Sequence, residues 1–180
     1  MRQTGIDTTT MRGLISIVSG FMLLGLTAPA LAQASKVATK VGEHGFWGTY
    51  AYTANNSKVC YVLTKAQEAE PKSLDHGDIF FTISQKPDKN ISYEPQFITS
   101  YEMQEGSKVI VTVGPKSYSM FIKGKYAWVE NAAEEPRLIA AMKAGSTMKV
   151  AAKSKRGNPT SYVFSLKGIS AALDSIASCK

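Results

Sequence analysis

Short apolar and aromatic runs, each broken by a cluster of Gly, Pro, Asn or Lys, recur along the chain from Phe46 to Leu166. Runs of this length, rich in β-branched and aromatic residues, read as strands rather than helices. The first, Phe46–Thr53, stops at Asn55-Asn56-Ser57, and Lys58–Thr64 returns as its hairpin partner. A polar stretch from Lys65 to Gly77, with Pro71 inside it, is expected to be the longest loop. Ile79–Ser84 is almost continuously apolar, which suits a strand covered on both faces. Lys86–Asn90 turns the chain, and Ile91–Tyr101 is extended but holds Pro95. Proline has no amide to donate, so that strand is expected at a sheet edge or a bulge. Lys108–Val113 and Ser117–Ile122 flank Gly114-Pro115-Lys116 as a tight hairpin, and Lys125–Val129 is a further short strand. Met148–Ala152 and Ser161–Leu166 are joined by the turn cluster Arg156-Gly157-Asn158-Pro159.

Two segments change period. Between Asn131 and Gly145, Leu138, Ile139 and Met142 form an apolar stripe, with Asn131 as a candidate N-cap and Gly145 as a candidate C′ residue. Pro136 favours a helix start later than Ala132. From Ile169 to Ser178, Ile169, Leu173 and Ile176 share one narrow face. Neither helix is long enough to stand alone, so each must pack on the sheet. Many strands with too few helices for β-α-β alternation imply a mainly β fold. The expected architecture is an antiparallel β-sandwich or partly open barrel with two short helices, one of them C-terminal.

The first residues follow another logic. Arg2 and Arg12 precede the apolar stretch Leu14–Leu26, which is short of the roughly 20 residues a membrane helix needs. Pro29 ends it, and Ala30-Leu31-Ala32 matches the small-x-small pattern cut by signal peptidase. Residues 1–32 are therefore read as a Sec-type signal peptide cleaved between Ala32 and Gln33, with Met11 as a rival start and an uncleaved anchor as the competing reading. Residues 33–42 are expected to be a flexible lead-in and 43–180 a single β domain. No later segment is long and apolar enough to span a bilayer.

Charge adds little. The whole chain carries +7, and removal of the signal lowers this to about +6, mostly scattered lysines with a denser patch at Lys153-Ser154-Lys155-Arg156. No nucleic-acid motif accompanies it, so no specific nucleic-acid partner is expected. Cys60 and Cys179, the only cysteines, both lie beyond the signal. An even pair in an oxidising compartment reads as a disulfide. The alternatives are two inert thiols or a redox pair, the latter lacking CxxC spacing.

A search for chemistry yields no catalytic, metal or cofactor-binding set. His76, in Asp75-His76-Gly77-Asp78, suggests a metal site or an acid–base pair, but neighbouring loop residues rarely converge on one ion, and a solvated turn is the better expectation. His44 is expected to be exposed. Glu134 and Glu135 are sequence neighbours on a helix and cannot face each other across a substrate. Gly-x-Ser-x-Gly and phosphate-binding glycine loops are missing, and Ser165-Leu166-Lys167 does not have the Ser-x-x-Lys spacing. Trp47, Trp128 and the tyrosines at 50, 52, 61, 93, 101, 118, 126 and 162 admit two readings, a ligand-stacking face or core and cross-strand packing. Core packing is favoured.

Several segments together resemble the invasion-associated locus B family. They are Phe46-Trp47-Gly48, Lys58-Val59-Cys60, Phe81-Thr82-Ile83-Ser84 before Lys86-Pro87, Ala127-Trp128-Val129 followed by Asn131-Ala132-Ala133, Leu138–Gly145, and Ser154-Lys155-Arg156-Gly157. Phe164–Asp174 is similar to the family's C-terminal signature, and the likeness spans residues 43–179. The resemblance implies an alphaproteobacterial periplasmic, envelope or secreted protein of a family named for host-cell invasion, with no catalytic residues to carry over. This chain departs from longer members with a second mid-chain cysteine pair and looks like a short, one-bridge form. The expected function is a non-enzymatic envelope protein that binds a protein or glycan of the envelope or host, through an exposed sheet face or the 65–77 loop. The rivals are a periplasmic structural protein and an unrecognised hydrolase working near His76. Oligomeric state and ligand identity are not encoded in any motif.

Overall fold

The computed structural model describes residues 37–54, 57–86 and 91–179. The signal and its cleavage residues Ala30, Ala32 and Gln33, residues 33–36 of the 33–42 lead-in, and the segments 55–56 and 87–90 lie outside the described residues.

Among the described residues, eleven strands form one antiparallel sheet. In chain order they are β1 (Thr39–His44), β2 (Trp47–Ala54), β3 (Ser57–Lys65), β4 (Glu68–Glu70), β5 (Phe80–Lys86), β6 (Ile91–Ile98), β7 (Lys108–Val113), β8 (Lys116–Lys123), β9 (Tyr126–Val129), β10 (Thr147–Lys153) and β11 (Pro159–Ser165). The spatial order is β1-β2-β3-β5-β6-β9-β8-β7-β10-β11-β4, with β1 and β4 at the edges. A 3-10 turn at Ala132–Glu134 leads into α1 (Glu135–Ala144), and α2 (Ile169–Ala177) closes the chain. The fold is mainly β, and the sheet does not close on itself.

Alternation within each strand explains the core. Val109, Val111 and Val113 of β7, Met148 and Val150 of β10, and Tyr162 and Phe164 of β11 are buried on one face, as a period of two requires. The sheet curls so that strands distant in its order share that face. Phe81 of β5 and Phe164 of β11 lie 6.0 Å apart between ring centroids, and Phe97 of β6 lies 6.3 Å from Phe164. Such edge-on aromatic pairs each contribute about 0.5–1.5 kcal/mol beyond their buried area. The hydrophobic effect thus rolls the sheet into a partly open barrel rather than two separate layers.

Both helices fill its concave side. Leu138, Ile139 and Met142 of α1 and Ile169, Ala172, Leu173 and Ile176 of α2 join the same core. Asn131 accepts a hydrogen bond from the Ala133 amide at 3.0 Å, so it caps the 3-10 turn. The α-helix begins later, at Glu135, with Pro136 in its first turn, where a missing amide costs nothing. Gly145 does not take the left-handed C′ geometry expected of it, since its φ is −93°. Its role is close approach: a Cβ there would sit 2.7 Å from Val113 Cγ1 and 3.1 Å from Leu166 Cδ1.

A clasp holds the roll shut near the β1–β2 turn. The Phe46 amide donates to Lys167 O at 3.1 Å, and Trp47 Nε1 donates to Ser165 O at 3.0 Å. Gly45 and Gly168 meet at this crossing, both with positive φ, and a Cβ on Gly168 would lie 1.9 Å from His44 O. No side chain fits between these two backbones.

Three local expectations are corrected. Residues 39–42, expected in a flexible lead-in, form part of β1 and pair with β2. β6 is an interior strand between β5 and β9 despite Pro95. The β9 ladder engages only Gln96, Phe97 and Ile98, so the proline lies just outside it and demands no amide there. The 65–77 loop contains β4, which pairs with β11 through Glu68, Ala69 and Glu70.

Candidate functional site

Cys60 of β3 and Cys179 after α2 are joined by a disulfide, with α-carbons 6.0 Å apart and a sequence separation of 119. Ile176 O accepts from the Cys179 amide, which sets the last turn against the sheet. The bridge clamps the closing helix onto β3, and both cysteines are buried.

His76 is not in a solvated turn. It is 9% exposed, with Nδ1 3.0 Å from the Tyr162 hydroxyl and Nε2 2.9 Å from Pro71 O. A carbonyl only accepts, so Nε2 donates to Pro71 O, and Nδ1 is left to pair with the Tyr162 hydroxyl. The Tyr162 oxygen in turn lies 2.7 Å from the Tyr101 hydroxyl, which lies 2.8 Å from Thr160 Oγ1. Burial, foremost, pushes the Tyr162 phenol well above the ordinary tyrosine range, and the hydrogen bond with Tyr101 adds to the rise. The flanking Asp75 and Asp78 turn away: Asp75 accepts from the Gly77 amide, and Asp78 pairs with Lys65. With both ring nitrogens engaged, His76 pins the 71–79 segment to β11. A cleft of about 470 Å³ opens beside it, lined by Tyr101, Glu102, Lys155, Arg156, Asn158 and Thr160 among others. Among the described residues, no cluster of three or more His, Cys, Asp or Glu could hold a metal ion. His44 is half-buried on β1, not exposed.

The aromatic residues divide by face between the core and cross-strand pairs, the two placements that the packing reading allows. Trp47, Tyr118 and Tyr162 are core residues, and Tyr93 and Tyr101 pack against the core. The others line the convex side of the sheet in two stacks. On β2 and β3, Tyr50 and Tyr61 are paired across strands with ring centroids 5.2 Å apart, and Tyr52 meets Tyr61 edge-on at 6.2 Å. On β8 and β9, Phe121 and Trp128 are direct cross-strand neighbours stacked at 5.7 Å, and Tyr126, two residues before Trp128 on β9, lies 5.9 Å from it. Phe121 and Tyr126 are 46% and 45% exposed.

The second stack borders two clefts. One of about 400 Å³ runs between Trp128, Phe121, Lys123, Glu94 and Glu135; another of about 440 Å³ runs between Trp128, Tyr126, Lys123, Lys125 and Glu102. Burial first, and the nearby Glu94 carboxylate second, hold the Glu135 carboxyl above the usual range. Glu94 is itself paired with Lys86. The β8–β9 face is thus a three-ring apolar ridge with polar, charge-bearing channels on both flanks. The alternation of Phe121 and Lys123 on β8, and of Tyr126 and Trp128 on β9, was the only sequence signal for it.

No helix among the described residues is long and apolar enough to cross a membrane. No curated protein is similar enough to count as a match. Among solved structures, the invasion associated protein B of Bartonella henselae superposes with a TM-score of 0.55 at 17% identity, covering 78% of this chain and 94% of that one. At that identity the likeness speaks for the fold alone. The family model of the invasion associated locus B protein matches residues 47–177, from the first core residue of β2 to the last residue of α2. By that match across nearly the whole folded domain, the chain belongs to the invasion-associated locus B family.

Proposed function

We infer that this is an exported, non-enzymatic binding protein of the cell envelope, carried out by a signal peptide cut after Ala32 and acting at the envelope or host surface. Family membership and the Cys60–Cys179 bridge support export, because such bridges persist in oxidising compartments. The observation that carries the binding role is the solvent-facing stack of Phe121, Trp128 and Tyr126. Large aromatic side chains left in water on a folded domain mark interaction surfaces. The sheet face is favoured over the 65–77 loop, since that loop is tied down by β4 and His76. The rival hydrolase reading loses its base for the same reason: both nitrogens of His76 serve the fold.

The reading is tested by incubating the purified, bridged protein with intact host cells and with envelope fractions. Wild-type protein should be retained, and the Phe121→Ser/Trp128→Ser double variant should be washed away. Equal retention of both proteins, or retention of neither, counts against it.

A further inference from the structure

We propose that the β8–β9 face is a saccharide-binding site in which a pyranose chain lies across the Phe121-Trp128-Tyr126 ridge with its hydroxyls in the two flanking clefts. The inference rests on the binding role inferred above and names the ligand class for that surface.

Three features select a sugar. First, the ring of a pyranose has apolar C–H patches beside a rim of hydroxyls. The ridge offers the matching order of surfaces, with rings at the centre and Glu94, Glu135, Glu102, Lys123 and Lys125 along the sides. Second, a hydroxyl both donates and accepts. Each cleft holds both kinds of partner: carboxylates Glu94 and Glu135 with Lys123 in one, Glu102 with Lys123 and Lys125 in the other. Neither cleft has the single-sign charge that would select an ion. Third, the apolar area is small. Two half-exposed rings and the edge of Trp128 fall far short of the roughly 800 Å² per partner of a stable protein interface, whereas the shallow open clefts beside them suit a chain lying along the surface.

The ridge is also preorganised. Phe121 and Trp128 sit on paired strands and stack on one another, so little side-chain entropy remains to be lost on binding. Glu135 opens α1 and is positioned by that helix rather than by a loop. The other aromatic stack, Tyr50-Tyr61-Tyr52, lies on different strands, β2 and β3, and serves as an internal control.

The test uses the full protein with its bridge intact on an array of defined gluco-, galacto- and manno-oligosaccharides, followed by titration of any bound series. Tryptophan emission reports the event selectively, because Trp47 is 0% exposed while Trp128 lines both clefts. At least one series should bind and shift that emission. Trp128→Ala and Phe121→Ala should each weaken binding about tenfold or more, as truncation of an aromatic anchor does. Trp128→Phe should restore part of it, Glu135→Gln should weaken it several-fold with an unchanged melting curve, and Tyr50→Ala should leave it alone. Failure of every oligosaccharide to bind, or binding indifferent to Trp128→Ala, overturns the proposal. Two treatments of the target cells separate this failure from that of the broader reading. Retention destroyed by protease but not by periodate keeps a binding protein and removes the saccharide, whereas absence of any retention removes both.

Discussion

The Nδ1 atom of His76 lies 3.0 Å from the hydroxyl of Tyr162, in the interior of a domain where sequence pattern placed the histidine in water. Tyr162 stands on β11, and His76 belongs to the segment returning from β4 toward β5. Their contact joins β11, next to the β4 edge of the curled sheet, to the chain that leads into its middle, and the network continues through Tyr101 and Thr160.

Replacing His76 by alanine should therefore act on stability. The change strands the Tyr162 hydroxyl and frees Pro71 O, for a cost of about 2–4 kcal/mol. Hydrogen exchange should quicken in residues 66–79 and stay unchanged in β8 and β9. A variant as stable as the parent would mean that the pin does not hold the segment.

Alkaline pH should expose the buried phenols. Tyr162 has a folded pKa raised above the ordinary 10.0, and Tyr61 and Tyr118 shift in the same direction, in each case chiefly through burial. Above about pH 10 the unfolded chain releases protons that the folded chain keeps, so stability falls as pH rises. Urea midpoints measured from about pH 9 to 11 should decline, and Tyr162→Phe should flatten that decline while lowering stability near neutrality. An unchanged slope in the variant would count against Tyr162 as a contributor.

The bridge should matter through the length of chain it closes. For a separation of 119 residues, chain-entropy reasoning gives about 4–5 kcal/mol, and native bridges often return less. Reduction, or Cys60→Ser with Cys179→Ser, should lower the melting temperature by many degrees and loosen α2 first. Matching melts of oxidised and reduced protein would show that the clamp adds nothing.

Two glycines give a contrast. Gly168, at φ 96°, faces His44 O at 1.9 Å from a would-be Cβ, whereas Gly106, at φ 77°, has nothing within 4 Å. Gly106→Ala should cost about 1–2 kcal/mol for the left-handed backbone alone. Gly168→Ala should cost more, because it also forces apart the clasp between the β1–β2 turn and the entry to α2. Equal denaturation midpoints for the two variants would refute the close packing there.

Strands and hairpins were legible because they are local. Val113, Gly114, Pro115 and Lys116 make a turn through their own backbone preferences, and Val113 indeed pairs with Lys116. The apolar stripes of α1 and α2 were equally plain, since Leu138, Met142, Leu173 and Ile176 follow the helical period that burial demands. Pro95 misled, because a proline reports only the amide it lacks and not which neighbouring ladder stops short of it. His76 misled for a related reason: loop composition suggests water, yet the partner that buries this ring is 86 residues away.

What the chain alone determined is the set of strands apart from β1 and β4, the two helices, the cysteine pair and the family likeness, all carried by near neighbours and ordered motifs. The tertiary structure decided which face of each strand turned inward. Trp47 and Trp128 both sit in aromatic strands of alternating pattern, yet Trp47 is wholly buried and Trp128 stands among Phe121 and Tyr126 on the convex side. Alternation creates two faces without naming either, and only the curl that brings Phe81 and Phe97 against Phe164 chooses the dry one.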